Sequence, residues 1–599
     1  MTPRHALKPF YINDCLCWLH PGSSQRGVVL CSPIGLEDLV MHRFLRRLAC
    51  NIAEAGMPAL RFDYRGTGDS AGSETDPDTV QAWLANVRKA VKWLREEAAV
   101  TQVILVGFRA GGLLAAHVAA QLGDIAALVL VGPVVSGSAY VREARALRSF
   151  EAQSGEPETA LPSPSADDSG GLNVAGFHLS MATIRDLRRL DLRALTQSPA
   201  PRVLLLGRSN SPADRRLGEF LRTLGADVSV GILPGFASMQ WNSSLAALPQ
   251  DAFAGLVAWL RADAPPGRAV RFRLGSSRLV SSEWREEPVQ FGPDEGLFAI
   301  HCMPRFCIPR SAVLIVNHGL NRHIGWARTY VSLARRLAAQ GVASLRMDIS
   351  GVGDSATAPG RPEQQLYARE SVADVKAALD WLHQLDYEQI TLVGHSAGAH
   401  LSFHTAVEDK RVTGLAMINM TRFVCDPMEP ADYGRRKTIR STGWYWSNIV
   451  SIDVWRRLAR GRVHVIAIAE MIAGRLLRRA AVSLMSLFGK SIRAKVGHTQ
   501  IFTLFRQLSE RGTKVLLIYS SGDEGLDELA LYCGRGGRRL AKLENFQLRI
   551  MDDADHNLTS RRSQELYFTL LERHVGLTRQ TSAIAEQPAS SARLAAGAC

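Results

Sequence analysis

The chain is 599 residues long, 46% hydrophobic and 21% charged, an ordinary globular balance that excludes a mostly disordered or fibrous protein. At about 150 residues per domain it must hold several domains. Its formal charge is +14 at pH 7. No window offers the roughly 18 uncharged apolar residues of a membrane span, and the start MTPRHALKPFYIND lacks the apolar core of a secretory leader, so a cytoplasmic protein is expected. The nine cysteines are scattered and form no CxxC array with His partners. Free thiols are expected, with neither a disulfide framework nor a zinc site.

Laid against itself, the sequence repeats. PFYINDCLCWLHP from Pro9 resembles PVQFGPDEGLFAIHCMP from Pro288, and GVVLCSPIGL from Gly27 parallels AVLIVNHGL from Ala312. LRFDYRGTGDSAG from Leu60 returns as LRMDISGVGDSAT from Leu345, and VRKAVKWL from Val87 as VKAALDWL from Val375. VILVGFRAGG from Val103 returns as ITLVGHSAGA from Ile390. The offset is nearly constant, which implies a tandem duplication with loop insertions.

Short apolar runs alternate with amphipathic ones in each copy, the pattern of a mostly parallel sheet with helices on both faces. The second copy predicts strands at Ala312 to Val316, Val342 to Asp348 and Gln389 to Val393, with helices at Tyr330 to Ala339 and Ser371 to Leu385. Between the copies, Asp263 to Arg285 reads as a linker region with an edge strand at Val270 to Leu274. Domains are thus expected at 1–264 and 265–579, followed by a disordered Ala-, Ser- and Gln-rich tail at 580–599.

In the second copy GHSAG, Gly394 to Gly398, fits a G-x-S-x-G nucleophile elbow, following the apolar run ITLV and opening a helix. A serine hydroxyl is a poor nucleophile near neutral pH, so a base must take its proton and a carboxylate must orient that base. Both should follow in chain order at strand ends. Asp523 lies just past Val515 to Tyr519, and His556 just past Leu548 to Met551. Asp527 and Glu524 compete for the acid position, whereas Asp555 reads as surface charge. The oxyanion needs two N–H donors: that of Ala397, after the serine, and that of Leu320 in the HGLN turn. His318 reads as a structural hydrogen-bonder of that loop.

These motifs, with EEPVQFGPDEGLFAIHCMP and LRMDISGVGDS, resemble the bacterial α/β-hydrolase superfamily, specifically serine-aminopeptidase-type hydrolases of the kind found beside exosortase and exopolysaccharide genes. The resemblance spans Glu286 to about Gly576, and Pro9 to about Leu260 shares it through VVLCSPIGLEDLVMHRFLRRLA, LRFDYRGTGDSAG and LVGFRAGG. It implies two tandem α/β-hydrolase domains, each with an inserted cap. It implies the triad Ser396, Asp523 and His556.

The first copy has lost that triad. Arg109 stands where Ser396 stands, Ser211 opposite Asp523, and Ser238 opposite His556. A protonated arginine is neither nucleophile nor base. Arg109 either binds an anion in the old pocket or is salt-bridged, with Asp214 as one candidate partner, leaving the copy a pseudoenzyme support.

The positive charge concentrates in an insertion from Thr421 to Glu510, where 16 Lys and Arg face 6 Asp and Glu. Within it, Arg475 to Lys495 has helical apolar spacing with basic residues opposite. This basic cap either packs on the core with solvated arginines or meets anionic lipid or an acidic substrate. No nucleic-acid motif accompanies it. The expected activity is cleavage of a small-molecule ester or thioester, acyl or acylated-sugar, through an acyl-enzyme on Ser396, without metal or organic cofactor. Acyl transfer by the same triad and a non-catalytic scaffold of a polysaccharide assembly complex are the alternatives.

Overall fold

The computed structural model describes residues 7–154, 171–208, 211–236, 239, 247–262, 264, 272–424 and 492–577. Two sheets organise them. The first has eight strands in the spatial order Lys8–Ile12, Cys15–His20, Ala59–Phe62, Arg26–Cys31, Gln102–Phe108, Ala127–Val131, Arg202–Gly207, Asp227–Ile232. The second has nine: Leu279–Val280, Trp284–Phe291, Leu297–Pro304, Ala343–Asp348, Ser311–Ile315, Gln389–His395, Val412–Ile418, Lys514–Ser520, Phe546–Met551. Apart from the extra edge strand Leu279–Val280 the two strand orders are the same. The leading strands pair antiparallel and the rest parallel. Parallel strands covered on both faces must be apolar throughout, and QVILVGF of Gln102–Phe108 is buried from Val103 onward.

Helices supply the covers. In Thr79–Glu96 the residues Val80, Trp83, Leu84, Val87, Val91 and Leu94 recur every three or four positions and bury one face against the first sheet. Ser371–Gln384 does the same in the second with Val372, Val375, Leu379 and Leu382. Of the strand expected at Val270 to Leu274, residues 270 and 271 lie outside the described residues and 272–274 are not in a strand; Ser276 bridges Tyr11 of the first sheet, and Leu279–Val280 makes the edge. Of the expected basic cap, 425–491 lie outside the described residues, as does the 580–599 tail. The helix Ile492–Glu510 closing that insertion packs Ile501, Phe505 and Leu508 into the second core. No helix among the described residues is long and apolar enough to cross a membrane.

The halves meet through their two GDS turns. Arg346 donates to Asp69 at 2.8 Å, and Arg61 donates to Asp354 at 2.8 Å. His323 is clamped between Asp69 (2.6 Å) and Asp348 (2.7 Å), and Arg322 between Asp38 (3.0 Å) and Asp63 (3.1 Å). His42 reaches Asp354 at 3.1 Å. These groups are buried, and a buried charge costs several kcal/mol unless it is paired. Here both halves must supply partners at once. An apolar cluster of Tyr11, Leu16, Trp18, Leu279, Phe298 and Ile300 adjoins the ionic contacts.

His323 is charged in this setting. Burial works against the imidazolium, but the carboxylates of Asp348 and Asp69 outweigh it and push its pKa up to about 10. A pKa raised above the unfolded value of about 6.5 contributes stability that is complete below that pH and is lost as pH rises through the folded value. The thermal midpoint should therefore fall progressively between about pH 7 and about pH 10. In a pH series of melting curves, His323→Gln should start lower at neutral pH and decline less; parallel declines would exclude this account.

Candidate active site

Ser396 sits between the strand Gln389–His395 and the helix Ala397–Glu408 at φ 55° and ψ −119°. A non-glycine residue there is strained, and such strain persists only where its surroundings over-determine it. Two glycines make the turn feasible. A Cβ on Gly394 would lie 2.2 Å from the Gly398 carbonyl oxygen, and one on Gly398 would lie 2.0 Å from that of Asn317. The helix therefore begins directly beneath the Asn317–Leu320 turn. Ala397 opens the helix, so its N–H has no acceptor within it. Leu320 follows Gly319 at φ 58° and is half-buried.

Asp523 and His556 are brought together. Asp523, beyond the strand Lys514–Ser520, accepts from the Gly525 N–H at 2.8 Å through Oδ1 and from His556 Nδ1 at 2.6 Å through Oδ2. It is this carboxylate, of the three weighed from sequence, that meets the imidazole. The His556 loop is held from below: its carbonyl accepts from Asn419 Nδ2 at 2.8 Å and from His395 Nε2 at 2.5 Å, and the Asp555 carbonyl accepts from Ser520 Oγ at 2.8 Å. His395 stacks on His318 at 3.8 Å between centroids, with His556 6.1 Å from His318. Burial, then the charge of His556, pushes the His318 pKa down to about 3, so it is neutral. Ring nitrogens of His318, His395 and His556 come within 4.8 Å of one another. His556 Nδ1 is bonded to Asp523 and His395 Nε2 to a carbonyl, with His556 tilted against the stacked His318–His395 pair.

One expectation changes, and one open alternative narrows. Asp555 is not surface charge: burial pushes its pKa up to about 6, and Oδ1 accepts from the Thr559 N–H at 2.7 Å. Of the two alternatives for Arg109, the structure shows the ion pair. Its Nε donates to Glu37 at 2.8 Å, its second terminal nitrogen to Glu143 and the other to the Gly132 carbonyl, and the side chain is buried. The carboxylates have consumed its charge, and Asp214 is not among these partners. The elbow itself survives: Arg109 lies at φ 52° and ψ −122°, and a Cβ on Gly111 would lie 2.1 Å from the Ser32 carbonyl oxygen. Ser211 is the N-cap of the helix Pro212–Thr223, and Ser238 lies outside the described residues.

One set of residues was missed from sequence. Asn317 donates to Asp348 and to the Asn321 carbonyl, both at 2.8 Å, while Asp348 accepts from His323, which is bound in turn to Asp69. The turn beside Ser396 is thus tied to the first half. The partners sit some 250 residues apart, with only the repeated GDS motif as a sequence signal.

The fold and elbow define a class, the α/β-hydrolase-type serine hydrolases. Two stretches, 23–158 and 308–426, match the model of the family described as serine aminopeptidase, S33. Similar solved structures include a lidless α/β serine hydrolase from Xanthomonas campestris, 16% identical, covering 50% of this chain and 95% of its own, with a TM-score of 0.28. An esterase from Pyrococcus furiosus is 14% identical, covering 48% and 90%, with a TM-score of 0.30. The esterase Est1E from Butyrivibrio proteoclasticus, with ferulic acid bound, is 15% identical, covering 47% and 94%, with a TM-score of 0.28. A search of curated proteins gave no match.

Because added methyl groups at Gly398 and Gly111 would strike main-chain oxygens, Gly398→Ala and Gly111→Ala should each destabilise the chain by about 1–3 kcal/mol or more. Urea denaturation checks this. A change within error at both sites would show the elbows to be looser than described.

Proposed function

We propose that the chain is a serine hydrolase cleaving an ester or thioester at Ser396, and that its two domains are 1–264 and 265–579, the first a non-catalytic support. The single observation that carries the reading is the 2.6 Å contact of His556 Nδ1 with Asp523 beside the strained Ser396 elbow. With Nδ1 held by a carboxylate, the proton-accepting lone pair lies on Nε2.

His556 Nε2 removes the Ser396 hydroxyl proton as Oγ attacks the substrate carbonyl. The tetrahedral oxyanion takes hydrogen bonds from the N–H groups of Leu320 and Ala397. His556 returns the proton to the departing alcohol or thiol, leaving an acyl ester on Ser396. Water, deprotonated by the same imidazole, releases the acid and restores the hydroxyl. Capture by a second alcohol or amine instead of water would make the enzyme an acyltransferase, which label from ¹⁸O-water in the product acid distinguishes. The net positive 421–510 insertion favours an acidic substrate or an anionic lipid surface near this site.

A fluorophosphonate probe should label the wild type at Ser396 and leave Ser396→Ala unlabelled. Absence of label on the wild type would leave the scaffold reading standing. Asp523→Asn should lower kcat by about 10⁴-fold by misorienting the imidazole. Asp69→Asn, in the other half, should lower kcat by about tenfold or more with KM little changed, because it loosens the turn that carries Leu320. Steady-state kinetics run beside melting curves checks this, and kcat unchanged in a folded variant would disconnect the halves functionally.

A further inference from the structure

The first half retains a pocket of about 550 Å³ over its altered elbow, within the roughly 300–1,000 Å³ typical of small-molecule sites. Its walls are hydrocarbon: Leu36, Leu39, Trp83, Leu147, Val174 and Phe177, with Ile324 and Ala327 contributed by the second half. Seven of the eight Asp, Glu and Arg side chains around it are ion-paired, and the eighth, Arg328, is held by carbonyls. Arg109 is held by Glu37 and Glu143, and Arg208 lies 3.6 Å from Glu143. Arg65 pairs with Asp14 and Asp76, Asp38 with Arg322, and Glu74 lies 3.6 Å from Arg561. Arg328 donates to the carbonyls of Gly66, Gly68, Ser70 and Gly72. Four acidic and four basic side chains line the pocket. It recruits no net charge, and its elbow offers no nucleophile.

We propose that this pocket binds an uncharged, apolar small molecule of the alkyl alcohol or alkyl ester kind, and holds it without cleaving it. A carboxylate there would find the arginine donors already taken by carboxylates and carbonyls, a cost that a neutral head group avoids. The site also adjoins the second half's machinery. Phe177, in its wall, lies 6.3 Å from Trp326, whose Nε1 donates to the Ala175 carbonyl at 2.6 Å. Trp326 in turn lies 6.4 Å from His318, in the turn beside Ser396. Two rings thus lie between this pocket and the turn beside Ser396. The binding itself does not depend on Ser396 being catalytic.

The test uses the full chain and Nile red, an uncharged fluorophore. Wild type and Ser396→Ala should both bind it saturably with one-to-one stoichiometry. Ala144→Trp and Leu147→Glu, at half-buried positions of the wall, should each weaken binding by about tenfold or more while melting as wild type does. Decanol should displace the dye at a concentration about tenfold lower than decanoate. Three results would overturn the proposal: no saturable binding, binding that survives both wall substitutions, or decanoate competing as well as decanol. Loss of binding after a phosphonate has blocked Ser396 would place the dye in the second half and overturn it too. The decanol and decanoate comparison uses the unaltered chain, so it decides the matter even if the substituted chains misfold.

Discussion

Asp69 of the first half accepts from Arg346 and from His323 of the second at 2.8 and 2.6 Å, with all three side chains fully buried. Carboxylate, imidazolium and guanidinium are each costly to remove from water, and the cost is recovered only if they arrive together. Such a cluster contributes less to net stability than to the choice of a single arrangement, since any other docking of the halves leaves a charge unpaired. Through Asp348 and Asn317 the same cluster fixes the turn above the Ser396 helix. The geometry of the candidate site thus depends on a contact that belongs to neither half alone.

Within each half the scaffold and its chemistry are separable. The elbow at Arg109 has backbone angles close to those at Ser396, and its glycines are excluded from bearing a Cβ by the same kind of main-chain contact. A turn of this shape is maintained by packing between helix, strand and loop, so it tolerates exchange of the residue at its apex. Function lies in the side chains placed on such a frame and in what surrounds them. Around Arg109 the surroundings are two carboxylates; around Ser396 they are a loop and an imidazole that Asp523 holds through Nδ1.

Much of this was legible in the sequence because strands and helices announce themselves by period. The runs around Val103 and Ile390, the helix from Ser371, and the elbow between strand and helix all follow from local patterns. Asp523 and His556 could be placed at strand ends because a parallel sheet presents those ends on one edge. What resisted reading was partnership across long separations. Arg322 and His323 look like loop charges until the first half is folded against them. Glu37 and Glu143, which take up Arg109, lie 72 and 34 residues from it. Asp555 looked exposed because adjacency to His556 says nothing of the Ser520 and Thr559 contacts that enclose it. The edge at Ser276 and Leu279–Val280 is set by pairing with Tyr11 and Trp284–Phe291, which local alternation does not reveal.

The pairs Arg61–Asp354 and Arg346–Asp69 have a consequence for how the molecule is assembled. Arg61 and Arg346 occupy matching places in the repeated motif, as do Asp69 and Asp354, so one contact is made twice with the roles of the halves exchanged. This is the isologous geometry of a symmetric homodimer, in which a self-complementary patch meets its own copy across a rotation axis. Here a single polypeptide presents that patch to itself. Two chains free in solution could each satisfy it with a stranger, so the covalent tether acts as a guard against swapped assemblies by keeping the proper partner at high effective concentration.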